Sequence, residues 1–282
     1  MEALIPLVLN ALTLISILML VALGLAIIFG LMNVINLAHG EFVTIGAYTL
    51  ALVQSLHGSW WLALALAPFV GSVIGLIVER TMIRHLYTRP LATILATWGL
   101  SLVLQQLLQV LFGAAPQRVD SPLEGSASVF GVAYPAYRLL LITAALAIVA
   151  GCFAVFRWTR FGLDLRAVIQ NRDMAEALGI NTQRVYAIAF SAGAAIAAVA
   201  GVLIAPLTVV IAQMGVNYLA RSFFVVIVGG VGSIGGVAAG SAVVGGTETV
   251  LNYQIPVTIS QALVLALAIV IVRFRPRGLV PA

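Results

Sequence analysis

PLVLNALTLISILMLVALGLAIIFG, residues 6–30, contains no charged side chain. A helix of about 20 apolar residues crosses the hydrocarbon core of a bilayer, so a run of this length predicts a membrane-spanning helix. The run is longer than the apolar core of a secretory signal, and Glu2 precedes it where such a signal carries basic residues. We therefore interpret residues 6–30 as a first span.

The composition of the whole chain agrees with this interpretation. Of its 282 residues, 62% are apolar and only 8% are charged, whereas about 25% are charged in an ordinary soluble protein. A soluble fold could not cover itself with so little polar surface, so lipid must cover most of the chain. The single cysteine, Cys152, excludes an internal disulfide and a cysteine-based metal cluster.

Eight more apolar runs follow the first, and the seventh and eighth runs are short and rich in glycine. The nine runs are residues 6–30, 36–56, 60–80, 92–113, 136–157, 186–208, 218–232, 235–252 and 257–273. The predicted fold is an all-α polytopic transmembrane helical bundle of about 8–10 spans, of which some are short, broken or re-entrant. We expect a single transmembrane domain over residues 1–282.

Arginine placement predicts the orientation. The net charge of +5 comes from arginine, because the sequence contains no lysine. Eleven of the fourteen arginines fall in three groups: Arg80, Arg84 and Arg89; Arg157, Arg160, Arg166, Arg172 and Arg184; and Arg273, Arg275 and Arg277. The positive-inside rule places these groups in the cytoplasm. Residues 158–185 then form a cytoplasmic coupling loop, residues 114–135 an extracytoplasmic loop, and the N-terminus lies outside.

The inner loop contains NRDMAEALGIN, residues 171–181, whose pattern is typical of a short helix. Asn171 is a favourable N-cap, and Asp173 lies in the first turn, where the helix dipole favours an anion. Arg172 and Glu176 are four residues apart and can pair. Gly179 supplies the left-handed residue that ends such a helix, with the following isoleucine as its hydrophobic contact.

This helix has only about two turns, and so short a helix is marginal in water by itself. We therefore expect a partner to bind it, with its small and apolar residues inserted into a groove of another protein. Those residues are Met174, Ala175, Ala177 and Leu178. A solvated turn between two spans is the alternative interpretation.

Polar side chains inside the apolar segments are candidates for a transport path or gate, because such groups are costly in a membrane. The candidates are Asn36, His39, Glu41, Gln105, Gln109 and Glu248, with Asn33 beside the first three. A structural network in which these groups satisfy one another is the alternative. We expect Glu248 to pair with an arginine or with a backbone group. One His with one Glu is too small a ligand set for zinc, so we predict no metal site.

Two further patterns bear on function. Gly230 to Gly235 reads GVGSIG, a literal dinucleotide-binding pattern, but no acidic residue follows at the required distance. We instead interpret Gly232, Gly236 and Gly240 as a smooth helix face for close packing. A phosphate-binding P-loop needs a lysine. We therefore predict that the chain does not hydrolyse ATP through such a loop and that a separate subunit is the energy source. We also expect that the chain is not an enzyme and has no cofactor.

Four stretches resemble the permease subunits of bacterial ABC importers of the branched-chain amino acid type. In chain order they are GLAIIFGLMNVINLAHGEFVTIGAY (24–48), NRDMAEALGIN (171–181), VVIVGGVGSIGGVAAGSAVVGG (225–246) and RFRPRGL (273–279). The resemblance covers essentially the whole chain. It implies a multi-pass protein of the bacterial inner membrane that imports its substrate by alternating access.

The resemblance also implies the partners. These are a second homologous permease subunit, two ATP-binding cassette ATPase subunits that bind Asn171, Arg172, Asp173, Met174, Glu176, Leu178 and Gly179, and an extracytoplasmic substrate-binding protein. No nucleic acid partner is implied.

The expected cargo is a small polar molecule: a branched-chain or other neutral amino acid, or urea or a short-chain amide, since residues 89–106 and 168–173 resemble the urea and amide branch. Two other classes remain open. An ion-coupled secondary transporter would show ion dependence without an ATPase, and a membrane enzyme would depend on His39.

Overall fold

The computed structural model describes residues 4–32, 35–87, 89–129, 131–276 and 278–280. The predicted path residue Asn33 and the predicted cytoplasmic Arg277 lie outside these ranges. The helices are α1 (Leu4–Met32), α2 (His39–Ser55), α3 (Trp60–Thr81), α4 (Pro90–Phe112), α5 (Ala136–Trp158), α6 (Arg160–Gln170), α7 (Arg172–Ala177), α8 (Thr182–Ile204), α9 (Met214–Gly229), α10 (Ile234–Asn252) and α11 (Val257–Phe274). Two short 3-10 helices, Ile83–His85 and Ala205–Leu207, follow α3 and α8.

Each of the nine predicted segments corresponds to one long helix, which confirms the all-α polytopic class. Seven helices of the described chain are long and apolar enough to cross a membrane. The exceptions among the nine are α2, with 17 residues, and α9, with 16. The predicted seventh segment is thus short, as expected. The eighth forms α10, whose 19 residues suffice for a span.

Helices α1 and α8 occupy the centre of the bundle. Helix α8 packs against α1, α2 and α3, and α1 packs in addition against α9 and α10. Side chains of α1 from Leu18 to Leu23 are almost wholly inaccessible. In contrast, few side chains of α4, α5 and α11 are buried on the isolated chain, as expected of helices that face lipid or another subunit.

Glycine and alanine allow α2 and α8 to approach closely. A Cβ on Gly46 of α2 would lie 1.9 Å from the carbonyl oxygen of Ala198 on α8, and a Cβ on Gly201 would lie 2.0 Å from the carbonyl oxygen of Val43. Neither obstacle is a flexible side chain, so any larger residue would force the two helices apart. Small residues at helix contacts are the usual means of tight packing in membranes.

The predicted glycine face of α10 is correct in part. Gly236 and Gly240 face α9, where each would clash with backbone atoms if it carried a Cβ. Gly232 was wrongly placed on this face, because α10 begins only at Ile234. Gly232 instead lies in the preceding turn with φ of 78° and touches Gly30 of α1.

The loop 114–135 contains a β-hairpin that the sequence analysis did not predict. Strands β1 (Ser126–Val129) and β2 (Val132–Pro135) pair antiparallel. Their short length and irregular alternation gave little signal for a strand. Earlier in the loop, Gln117 and Val210 exchange two backbone hydrogen bonds of 2.9 Å, which fix the loop beside the α8–α9 connection.

Candidate functional site

The short helix α7 forms at the position and with the caps that the sequence predicts. The side-chain Oδ1 of Asn171 accepts a 3.0 Å hydrogen bond from the Met174 amide. Arg172 Nε lies 3.2 Å from Glu176 Oε1. Asp173 lies in the first turn of the helix, where the positive end of the dipole stabilises a carboxylate.

The predicted end of α7 is also confirmed. Gly179 has φ of 87°, a left-handed conformation that glycine adopts without strain. This turn lets the Ile180 amide donate to the Ala175 carbonyl at 3.0 Å, which is the closing bond of a Schellman motif.

One face of α7 points away from the rest of the chain. Met174 and Leu178 are 58% and 75% exposed, although both are large and apolar. Ala175 was predicted to belong to the same docking surface, and this prediction is wrong. It is only 2% exposed, because α7 turns this side toward its own chain. We call Met174 and Leu178 the outward pair.

The inner loop holds a second helix, α6, that the sequence analysis missed. Thr159 caps it by accepting a 3.1 Å bond from the Gly162 amide, and Leu165 and Val168 are buried on one side. Two signals were present in the sequence: a threonine N-cap, and apolar residues three apart between charged ones. Together α6 and α7 make the inner loop an ordered structure instead of a simple connector.

Helix α7 is tied to the first turns of α8 through Glu176 and Arg172. The Thr182 hydroxyl donates to Glu176 Oε1 at 2.5 Å, and the Arg172 guanidinium lies 5.5 Å from the ring centre of Tyr186. The hydrogen bond from Thr182, followed by that from Arg172, lowers the pKa of Glu176 below its ordinary value. The carboxylate therefore stays ionised and keeps both partners at neutral pH.

A further set of contacts carries this attachment to α3. The rings of Tyr186 and Tyr87 lie 4.8 Å apart, and the Tyr87 hydroxyl donates to Glu79 at 2.5 Å. Burial and the neighbouring Glu79 raise the pKa of Tyr87, so its hydroxyl remains a donor. Arg84 also hydrogen-bonds to Gln183 of α8. The inner loop is thereby linked to two spans of the bundle.

The predicted polar residues at the start of α2 do come together. Asn36, His39 and Glu41 are all at most 1% exposed. The Asn36 Oδ1 accepts from the Ala38 amide at 3.0 Å, and His39 Nε2 lies 3.3 Å from the Val21 carbonyl oxygen. Within the described residues, Asn36 Nδ2, His39 Nδ1 and Glu41 Oε2 are buried without a hydrogen-bond partner.

Glu41 and Gln105 join α2 to α4. The Glu41 Oε1 accepts from Ser101 Oγ and from Gln105 Nε2, both at 2.7 Å. The sequence allowed Gln105 either a path or a bond to a neighbouring helix, and the structure shows that bond. Gln109 lies one turn further along α4 and is half-buried.

Glu248 pairs with an arginine, as predicted. Its Oε1 lies 3.3 Å from Arg221 Nη1 and 3.5 Å from Gln261 Nε2. Glu248 is buried and Arg221 is partly exposed. The sequence analysis assigned no role to Arg221, because nothing in the sequence connects a residue of α9 with one 27 positions later. Its signal was an arginine inside an apolar helix, which membrane proteins reserve for functional positions.

The chain is similar to known proteins over almost its whole length. Residues 7–272 match the sequence model of the branched-chain amino acid transport system permease component. The high-affinity branched-chain amino acid transport system permease protein LivH of Salmonella typhimurium is 29% identical, over 96% of this chain and 93% of its own. BraD of Pseudomonas aeruginosa, a permease protein of the same description, has the same identity and coverage.

A second kind of permease is also similar. The permease protein LivM of Salmonella typhimurium is 27% identical over 95% of this chain and 69% of its own. No solved structure matches the chain. The matches and the apolar helices show that the chain is a multi-pass membrane transport protein. The chain belongs to the family of permease components of branched-chain amino acid transport systems.

Proposed function

We propose that the chain is one of two permease subunits that form the membrane-embedded part of an ATP-driven importer, which carries branched-chain or other neutral amino acids by alternating access. A second homologous permease completes the path, and the similarity to both LivH and LivM favours a pair of unlike subunits. Two ATPase subunits supply the energy, and a substrate-binding protein delivers the cargo from outside. The importer resides in the bacterial inner membrane.

The observation that supports this proposal most directly is the construction of α7. It presents the outward pair to solvent on one side and is attached to α8 on the other. An exposed pair of large apolar residues on a well-capped helix is the arrangement that a groove on a partner recognises. The hydrogen bond from Thr182 to Glu176 and the contact of Arg172 with the Tyr186 ring then transmit displacement of α7 to α8, at the centre of the bundle.

The buried polar residues would serve the path and its gate. Asn36, His39 and Glu41 combine complete burial with polar atoms that lack partners among the described residues. Groups of this kind are costly within a membrane unless a second conformation or water satisfies them. We therefore propose that the gate lies at the start of α2, with Gln105 and Gln109 along the α4 side.

A double substitution of Glu176→Ala and Gly179→Ala tests the coupling role. The first change removes the hydrogen bond from Thr182 of α8 and the pair with Arg172, and the second places a side chain at a left-handed position. We expect the complete importer in liposomes to continue ATP hydrolysis while uptake falls to background, because the ATPase no longer moves α8.

The chain offers a matched control in Glu124→Ala with Gly125→Ala. These residues form an exposed glutamate and a glycine with φ of 94° in the loop 114–135. Uptake by the control should equal that of the natural chain. Natural uptake by the Glu176/Gly179 variant would refute the coupling role.

A further inference from the structure

A groove of about 790 Å³ runs along α9, α10 and α11. Arg221, Glu248 and Gln261 line it, so its wall carries one fixed positive and one fixed negative charge. The volume lies within the range of small-molecule sites, which usually combine apolar walls with a few placed polar groups. This groove combines the two features inside a membrane bundle.

The ion pair in the groove is a loose one. Charge-assisted hydrogen bonds between arginine and carboxylate are typically about 2.7–2.9 Å long and often bidentate, whereas Arg221 and Glu248 make a single contact of 3.3 Å. A buried ion pair offsets the loss of hydration only with excellent geometry and additional hydrogen bonds. Both charges would therefore gain from a ligand that contributes a charge of each sign.

The remaining walls fit the rest of such a ligand. Met214, Phe224, Val244 and Val264 line the same groove as the charged pair. These side chains would surround an aliphatic group, and the charged pair would hold its polar end. Urea and short amides have no ionised group, so they would leave both charges without a counterpart.

One end of the groove lies beside the predicted extracytoplasmic loop. Thr208, Val209 and Ile211 line it, and Val210 between them is bonded to Gln117 of the loop 114–135 through two backbone hydrogen bonds. In the predicted orientation, a molecule released by an external binding protein would reach this end first.

We infer that Arg221 and Glu248 bind the carboxylate and the ammonium group of a zwitterionic amino acid on its way through the permease. Gln261 positions Glu248, and the apolar walls accept the side chain. The inference rests on the proposed function, which it narrows to amino acids with an apolar side chain, and it assigns the binding role to the permease itself.

The first test needs no substitution. The purified permease pair is heated with leucine, leucinamide, isocaproate or urea, each at the same concentration. Leucinamide lacks the carboxylate and isocaproate lacks the ammonium group. We expect leucine to raise the melting temperature and the other three compounds to leave it unchanged. Equal stabilisation by leucinamide or isocaproate, or no effect of leucine, would overturn the inference.

The second test uses Arg221→Gln with Glu248→Gln in the complete importer. Removing both charges together leaves no unpaired charge in the bundle, so a purely structural pair would be replaced at little cost in folding. We expect the melting temperature to be retained and the KM for leucine uptake to rise about tenfold or more, the loss expected when a hydrogen bond to a charged group is removed.

Uptake measurements distinguish a failure of this inference from a failure of the proposed function. A natural chain without ATP-dependent uptake refutes the proposed function. ATP-dependent leucine uptake with an unchanged KM in the double variant refutes the inference alone. If the double variant does not fold, the exchange of Arg221→Glu with Glu248→Arg restores an ion pair at the same place. A natural KM in that folded variant, together with equal stabilisation by leucine, leucinamide and isocaproate, contradicts zwitterion binding.

Discussion

Leu178→Ser tests the proposed docking surface on α7. The leucine is 75% exposed on the isolated chain, so its removal takes almost nothing from the fold of the subunit. Burying a whole leucine side chain contributes about 1.5–3 kcal/mol, so a partner that covers the exposed three quarters gains roughly 1–2 kcal/mol from it. Because about 1.4 kcal/mol corresponds to a factor of ten, we expect ATPase subunits to bind the variant about 5–30-fold more weakly.

The measurement is the affinity of detergent-solubilised permease for the purified ATPase subunits, followed by uptake in liposomes at limiting ATPase. Leu56→Ser is the matched control, because Leu56 is 72% exposed at the end of α2, on the face predicted to lie outside. We expect the control to bind and transport as the natural chain does.

Two results would contradict the reasoning. Unchanged ATPase affinity of Leu178→Ser would show that the partner does not cover this side chain. Equal weakening by Leu56→Ser would show that the orientation of the bundle is reversed or that the loss is unspecific.

Three further predictions concern the bundle and its inner loop. Gly201→Ala should abolish recovery of folded subunit from membranes, because its Cβ would collide with the α2 backbone, whereas Gly151→Ala, with no neighbour within 4 Å, should be recovered normally by size-exclusion chromatography. Glu41→Ala should lower the melting temperature, because it removes two interhelical hydrogen bonds of about 0.6 kcal/mol each, while Glu41→Gln, which retains an acceptor oxygen, should restore most of the loss. The lowered pKa of Glu176 should keep the hydrogen-exchange protection of α7 constant from neutral pH down to about 4.3, the ordinary glutamate pKa. Below that pH, protection should fall as the carboxylate is protonated, and Glu176→Gln should show no such transition.

The features that the sequence predicted are those fixed by neighbouring residues. The long apolar runs gave nine helices, because a span is defined by its own length and composition. Asn171 and Gly179 marked the two ends of α7, because a cap bonds to backbone groups a few positions away. No tertiary contact is needed to recognise either pattern.

The features that could not be predicted from the sequence depend on contacts between distant segments. Arg221 and Glu248 meet only because α9 packs against α10, and Ala175 turns inward because α7 packs on its own chain. Gly232 stands four residues before Gly236, yet it lies outside the helix, because Ser233 caps α10 through the Gly236 amide at 3.0 Å. A spacing of four indicates a shared face only after the helix boundary is known.

The short helix α2 connects the two parts of the molecule that the proposed mechanism uses, which are α7 with its contacts to α8 and the groove beside α9. Helix α8 receives the contacts from α7, and it packs against α2 where Gly46 and Gly201 bring the backbones together. On its other side, α2 meets α9, because the Gly215 amide donates to Thr44 Oγ1 at 3.0 Å and a Cβ on Gly40 would lie 2.5 Å from the Gly215 carbonyl oxygen.

Helix α9 carries Arg221, so α8, α2 and α9 connect α7 with the groove. Contacts made by backbone atoms at such short range cannot be compressed, because packed interiors have few voids and transmit strain. A displacement of α8 must therefore move α2 and α9 with it or separate them. If α9 moves relative to α10, the distance between Arg221 and Glu248 changes, and a bound zwitterion loses one of its two contacts. Movement of α7 by a partner would in this way both open the path and release the cargo.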